Sequence, residues 1–197
     1  MSSLRYFAVY KPFQTLSQFS KEGDKRTLKD VFRVPKDVYP VGRLDYDSEG
    51  LLLLTNDPVI NKRLLHPENA HKRVYWVQVD GGIDEAAMIK LTTGVEITVN
   101  GKKHFCKATK VMPLHGTPAL PDRTPPIRFR KSIPAPWLAI TLKEGKNRQV
   151  RKMCAAVGFP VLRLVRISIE GLEVKGWDAG EIRTFSRQEL GRLLHID

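Results

Sequence analysis

Apolar and polar positions alternate along much of this chain with two different periods, and the periods divide it into elements. Arg5 to Tyr10 alternates around Phe7 and Val9, which predicts a first strand stopped by Lys11-Pro12. Thr27 to Phe32 fits a short helix. Tyr39 to Arg43 and Leu51 to Thr55 read as strands enclosing a charged loop. Asn56-Asp57-Pro58 then has the order of a cap followed by an N-terminal proline. It opens a helix with Val59, Ile60, Leu64 and Leu65 as its apolar face. Arg73 to Val79 is the clearest strand, with Tyr75, Val77 and Val79 on one face, and Gly81-Gly82 ends it. Asp84 to Leu91 returns to a helical period, followed by strands at Val95 to Val99, Lys102 to Met112 and Trp137 to Leu142. Arg148 to Val157 is predicted as a helix and Val161 to Ile169 as a strand. Ser186-Arg187-Gln188-Glu189 forms a capping box for a last helix.

Between Pro113 and Pro136 the periodicity stops. Seven of the chain's 13 prolines fall there, interleaved with Arg123, Arg128, Arg130 and Lys131. Proline fixes φ and removes a backbone donor, so the segment is expected to be a long extended loop, of the kind that carries function. Strands outnumber helices, and no glycine-rich dinucleotide fingerprint follows any strand. With no internal repeat and no break in composition, the pattern predicts a single α+β domain over residues 1–197, on a largely antiparallel sheet.

Composition narrows the function. Hydrophobic residues make up 42% of the 197, enough to build a core and exclude wholesale disorder. No apolar run approaches the roughly 20 residues of a membrane span. The opening residues lack a charged-then-apolar signal pattern, so a cytoplasmic protein is expected. Cys106 and Cys154 are too few and too far apart for a disulfide framework or a zinc site. Against these exclusions, 33 Lys+Arg and 21 Asp+Glu leave a net charge of +12, which points to a polyanionic partner.

The acidic exception is Gly42-Arg43-Leu44-Asp45-Tyr46-Asp47-Ser48-Glu49-Gly50, where three carboxylates and an arginine stand between two apolar strands. One reading is a solvated turn. Leu44 beside Asp45, the bracketing glycines and the apolar exit at Leu51 to Leu54 favour Asp45 held at a buried edge. Another reading takes Asp45, Asp47 and Glu49 as a Mg²⁺ site of a nuclease, since a period of two on a strand would align them. The turn signal Ser48-Glu49-Gly50 argues against it, and spacing alone leaves the alternatives open.

The string from Gly42 through Thr55-Asn56 resembles the catalytic signature of RsuA-like pseudouridine synthases. Further segments match in order. Tyr10-Lys11-Pro12 is similar to the family's first motif and Arg73-Val74-Tyr75-Trp76-Val77 to its tyrosine motif. Glu144 through Met153 is similar to its basic helix motif, and Leu162-Arg163-Leu164-Val165-Arg166 to its closing strand. Many relatives begin with an S4 RNA-binding module, whereas this sequence starts in the catalytic region. That difference, with Arg123 to Arg128 and Arg130 to Pro134, is similar to the E type of large-subunit pseudouridine synthase, which acts on 23S ribosomal RNA near the peptidyl-transferase centre.

The resemblance implies a pseudouridine synthase fold, a mixed sheet with flanking helices in two lobes around a central cleft. It also implies the isomerisation of uridine without cofactor or metal. Asp45 takes the place of the essential aspartate. Arg151, on the border of the apolar stripe Val150, Met153, Cys154 and Val157, is expected as its ion-pair partner, with Arg148 and Lys152 on the opposite side of the helix. Tyr75 takes the place of the residue that stacks on the target base, and Leu164 that of a pocket leucine. Six Lys/Arg and no acidic residue lie between Gly145 and Ile169: Lys146, Arg148, Arg151, Lys152, Arg163 and Arg166. Such single-sign clustering suggests phosphate contacts, joined by Arg43 and, on the proline-rich loop, by Arg128, Arg130 and Lys131. A non-catalytic RNA-binding or ribosome-assembly factor is the competing class. A monomer is expected.

Overall fold

The computed structural model describes residues 3–128 and 130–196. Of the segment expected as a loop, residue 129 therefore lies outside the described residues. In chain order the elements are β1 (Tyr6–Lys11), β2 (Tyr39–Pro40), β3 (Glu49–Thr55), α1 (Pro58–Leu65), β4 (Arg73–Val79), α2 (Glu85–Thr93), β5 (Val95–Val99), β6 (Lys102–Cys106), β7 (Lys110–Leu114), β8 (Trp137–Leu142), α3 (Gln149–Ala156), β9 (Val161–Ile169), β10 (Leu172–Glu173), β11 (Ile182–Phe185) and α4 (Arg187–Leu194). The fold is α+β.

The main sheet runs β11-β1-β3-β9-β4-β8-β7, with β2 added to β3 and β10 to β9. Its pairs are antiparallel except at one place, where β3 meets β9 in parallel through Glu49↔Val165 and Gly50↔Arg166. β9 thus joins two halves of the sheet, pairing β3 on one side and β4 on the other. Gly50 makes the junction possible. Its φ is +99°, and a Cβ there would stand 2.3 Å from the backbone oxygen of Arg166.

The run Leu51 to Leu54 is continuous because β3 is covered on both faces. Leu51 and Leu53 belong to one core with Tyr6, Tyr10, Ile60, Leu64 and Val165. Leu52 and Leu54 face the other way, onto Val9, Leu28 and Phe32. A further core lies across β9, where Tyr75, Val77, Leu138 and Ile140 pack with Val150, Met153 and Cys154 of α3 and with Val95 and Ile97 of β5. The helix starts follow the expected chemistry. Asp57 accepts a hydrogen bond from the Val59 amide, Asp84 from that of Ala87, and Ser186 and Glu189 close a capping box.

Several expected elements differ. The strand at Lys102 to Met112 is two strands, because the chain leaves β6 after Cys106 and joins β8 only at Lys110. Pro113 belongs to β7, where an edge position spares it a donor. Val59 and Leu65 are 50% and 48% exposed, so the buried face of α1 reduces to Ile60 and Leu64. Tyr39 to Arg43 contributes only two ladder residues. β11, exposed along most of its length, had no periodic signature. No helix among the described residues is long and apolar enough to cross a membrane.

Candidate active site

Where β3 and β9 meet, the chain opens a cleft of about 480 Å³. Its walls include Arg43, Leu44, Asp45 and Ser48 from the acidic loop, Tyr75 of β4, Leu164 and Arg166 of β9, and Glu144 to Val150 leading into α3. Five of the residues expected at a site therefore converge with Asp45: Arg43, Tyr75, Arg148, Leu164 and Arg166.

The loop that carries Asp45 is pinned on both sides. Leu44 is buried, and its amide donates to Ser17 Oγ at 3.0 Å while Ser17 Oγ donates to the Leu44 carbonyl at 2.8 Å. The Ser48 amide closes a turn on the Asp45 carbonyl at 3.0 Å. Ser17 was not found by sequence reasoning, since a lone serine far upstream carries no motif.

Asp45 sits with its side chain 27% exposed, and its ion pair is to Arg148 Nη1 at 3.7 Å. The expected direct pair with Arg151 is not formed. Arg151 instead donates from Nη2 to the Asp47 carbonyl at 2.6 Å and places Nε 3.4 Å from the Asp47 carboxylate. It lies behind the loop, with its side chain 12% exposed. Arg148, expected on the far side of a helix, is not helical at all. It is the residue before α3, with a left-handed backbone at φ +52°, and this turns its guanidinium inward. There it holds Asp47 through both terminal nitrogens at 2.9 Å each.

These contacts separate the two aspartates. Burial raises the pKa of Asp45 above the ordinary carboxylate range, opposed by the charges of Arg148, Arg151 and Lys11 and reinforced by Asp47. Burial also pushes Asp47 up, but its hydrogen bonds from Arg148 and the charges of both arginines prevail and hold it low. Asp47 is thereby the structural anion, and Asp45 the less compensated one facing the cleft.

Glu49 does not join them. It is buried, and Arg163 grips it with Nε at 2.9 Å and Nη2 at 2.7 Å while also reaching the Pro121 carbonyl at 2.7 Å. The alignment of Asp45, Asp47 and Glu49 expected for a Mg²⁺ nuclease is therefore absent, because the turn at Ser48 sends Glu49 into β3. Among the described residues no group of three or more His, Cys, Asp or Glu could hold a metal ion.

The six basic residues after Gly145 do not form one solvated face. Arg163 is spent on Glu49, Arg151 on the acidic loop, and Arg166 is buried, with Nε donating to the Leu51 carbonyl at 2.8 Å. The Arg166 Nη2 is buried without a hydrogen-bond partner, and Arg166 lines the cleft. Lys152 is not part of the cleft lining, nor are Arg128, Arg130 and Lys131. Arg130 is engaged by Asp80, while Arg128 and Lys131 are exposed. Tyr75 is 8% exposed and sits opposite Arg166 in the β4–β9 ladder.

Lys11 was expected merely to end a strand, yet it is fully buried, its Nζ donating to the carbonyls of Thr15 at 2.7 Å and Pro12 at 3.0 Å. Burial lowers its pKa to about 7, with Glu49, Asp47 and Asp45 pulling the other way and Arg166 adding to the fall.

Comparison with known proteins bears on this arrangement. A profile of the RNA pseudouridylate synthase family matches residues 5–156. The chain is 45% identical over 176 residues to ribosomal large subunit pseudouridine synthase E of Vibrio vulnificus (strain CMCP6), covering 89% of this chain and 73% of that one. It is 43% identical over 175 residues to the protein of the same name from Xanthomonas campestris pv. campestris, covering 88% and 91%. To ribosomal large subunit pseudouridine synthase B of Bacillus subtilis (strain 168) it is 34% identical over 189 residues, covering 95% and 70%. A crystal structure of a pseudouridylate synthase shares the fold, with a TM-score of 0.75 at 24% identity over 98% of this chain and 75% of that one.

Proposed function

The chain belongs to the RNA pseudouridylate synthase family, and from that premise we propose that it isomerises one uridine of 23S ribosomal RNA near the peptidyl-transferase centre, with Asp45 as the catalytic carboxylate. The reaction breaks the N1–C1′ bond of the nucleotide, turns the uracil, and joins C5 to C1′. The C5 proton leaves and N1 acquires one, so no electron enters or departs. The observation that carries the assignment is Asp45 itself: a carboxylate on the cleft wall, partly desolvated, with a cationic partner 3.7 Å away and Tyr75 and Leu164 in the same cleft.

Attack of a carboxylate on C1′ and removal of a ribose proton both require the ionised form. The site supports it by division of labour. Arg151 and Arg148 fix the loop through Asp47, and the residual field of the same two guanidinium groups offsets the desolvation of Asp45. A uridine must leave its stack to enter, at a cost of a few kcal/mol. Stacking on Tyr75 and contact with Leu164 recover part of that cost, and on this reading Tyr75 takes part in the C5 proton transfer. Arg43, exposed at the mouth, and Arg166 supply positive charge toward the nucleotide phosphates. Arg128 and Lys131 offer a separate basic surface for the RNA outside the cleft, with Arg130 steadying the loop on Asp80.

The large-subunit assignment draws support from the shared large-subunit name of the E-type and B-type relatives, and the E type from its 43–46% identity against 34% for the B type. Purified protein incubated with unmodified large-subunit and small-subunit rRNA carrying tritium at uridine C5 tests it. Tritium release from the large-subunit RNA alone is the expected result. Release from the small-subunit RNA alone, or from neither, overturns the reading.

A further inference from the structure

Outside the cleft, one surface combines an exposed aromatic ring with an excess of lysines. Between Glu96 and Asp122 the chain carries four lysines, Lys102, Lys103, Lys107 and Lys110, and no carboxylate. All four are exposed. Phe105 lies among them on β6 and is 71% exposed, the most open of the large apolar side chains described. Its ring is nevertheless seated: a Cβ on Gly94 would stand 2.1 Å from the Phe105 Cζ, so the absence of a side chain at Gly94 is what lets the ring lie against the backbone there. The end of the ring is seated there, and most of the side chain is open.

Lysines alone on such a strand have an ordinary explanation, since they keep the edge of a two-stranded sheet from pairing with other chains. A large exposed phenyl group does not serve that end, and it offers a ring on which a base can stack. The hairpin also adjoins the cleft. Phe105 and Cys106 point to opposite faces of β6, and Cys106 faces inward against Glu144 and Lys146, which line the cleft. The acidic group beside the ring, Glu96, stands opposite Phe105 in the ladder and is neutralised by Lys103 at 2.8 Å.

We infer that the β5–β6 hairpin is a second RNA-contact surface, on which an unpaired base flanking the target stacks on Phe105 while Lys107 and Lys110 contact the backbone. An exposed ring with lysines two residues before and two residues after it matches the chemistry of single-stranded nucleic acid, whose bases offer π faces whatever their identity. The inference rests on the reading of the protein as a synthase acting on ribosomal RNA.

The test measures tritium release from two large-subunit rRNA substrates, a minimal stem-loop around the target and a long fragment with its natural flanks. Phe105→Ala should raise KM for the long fragment by roughly 5- to 100-fold, leave kcat unchanged, and leave the stem-loop kinetics and the melting temperature as in the unaltered protein. Phe105→Trp should restore the KM. Lys107→Ala should flatten the salt dependence of binding to the long fragment by about one ion. If the unaltered protein turns over neither RNA, the functional reading fails and not the hairpin. If it turns over both and Phe105→Ala matches it on both, the inference is overturned. Concentration-dependent sedimentation lost on Phe105→Ala would overturn it as well, assigning the face to a second copy of the chain.

Discussion

Arg148 holds Asp47 through two 2.9 Å hydrogen bonds and stands 3.7 Å from Asp45. One guanidinium thus serves an anchor and the carboxylate proposed to react, and it satisfies the first fully and the second incompletely. The unequal sharing leaves Asp45 with a raised pKa while Asp47 keeps a lowered one.

Asp45 therefore weakens the fold it serves. Its folded-state pKa lies above its unfolded one, so the folded state binds the proton more tightly and its contribution to stability diminishes as pH rises through that interval. Above that interval the folded state bears the cost of burying the ionised carboxylate. Asp45→Asn should abolish tritium release, by at least about 10³-fold, and at the same time raise the melting temperature at pH 7. Loss of activity with a lower melting temperature would mean that Asp45 is structural.

The pH–rate profile follows from the same shift. Activity should fall on the acid side with a midpoint above the ordinary carboxylate range. Arg148→Ala removes the leading charge that opposes this rise, so it should move the midpoint further up. Arg148→Lys should return it partway. Single-turnover rates across pH 4 to about 9 on a saturating substrate would show both movements.

Arg151 and Arg163 are expected to act through stability. Arg151→Ala strands the Asp47 carbonyl, although Arg148 still holds the Asp47 carboxylate, and Arg163→Ala strands the Glu49 carboxylate, whose side chain is 3% exposed. Breaking one partner of such a buried pair costs about 3–5 kcal/mol, measurable by urea denaturation. The double variant Glu49→Gln/Arg163→Met should recover much of the loss of Arg163→Ala, because no unpaired charge is left buried.

Lys11 should leave a signature at alkaline pH. Its folded-state pKa of about 7 lies below the ordinary 10.5. Between those values the unfolded chain binds the extra proton, so this group makes stability rise with pH across that window, and below pH 7 it contributes no slope. Comparing the pH dependence of unfolding free energy with that of Lys11→Met isolates the effect. The variant should lack the rise between pH 7 and 10.5, which amounts to a few kcal/mol at about 1.4 kcal/mol per pH unit.

Much of this arrangement could be read before the structure. The Leu51 to Leu54 run, the alternation of Tyr75, Val77 and Val79, and the caps at Asp57 and Ser186 are local signals, and each produced the expected element. What escaped depends on tertiary geometry. A helical wheel treats Arg148 as a turn of helix and sends it outward, but its left-handed backbone reverses that direction. Glu49 and Arg163 are 114 residues apart and meet only because β3 and β9 run in parallel. Lys11 looks like a strand end because nothing local reveals that the chain folds back to offer it two carbonyls. Counting positive residues after Gly145 likewise overstated the RNA-facing charge, since Arg151 and Arg163 are consumed inside.

The central claim is that Asp45 isomerises uridine in large-subunit ribosomal RNA. The most direct measurement incubates unmodified large-subunit rRNA with the purified protein in EDTA and maps pseudouridine by carbodiimide treatment and primer extension. The account predicts one new stop, an RNA of unchanged length, and no stop with Asp45→Asn. Shortened RNA, no stop with the unaltered protein, or the same stop with Asp45→Asn would contradict it.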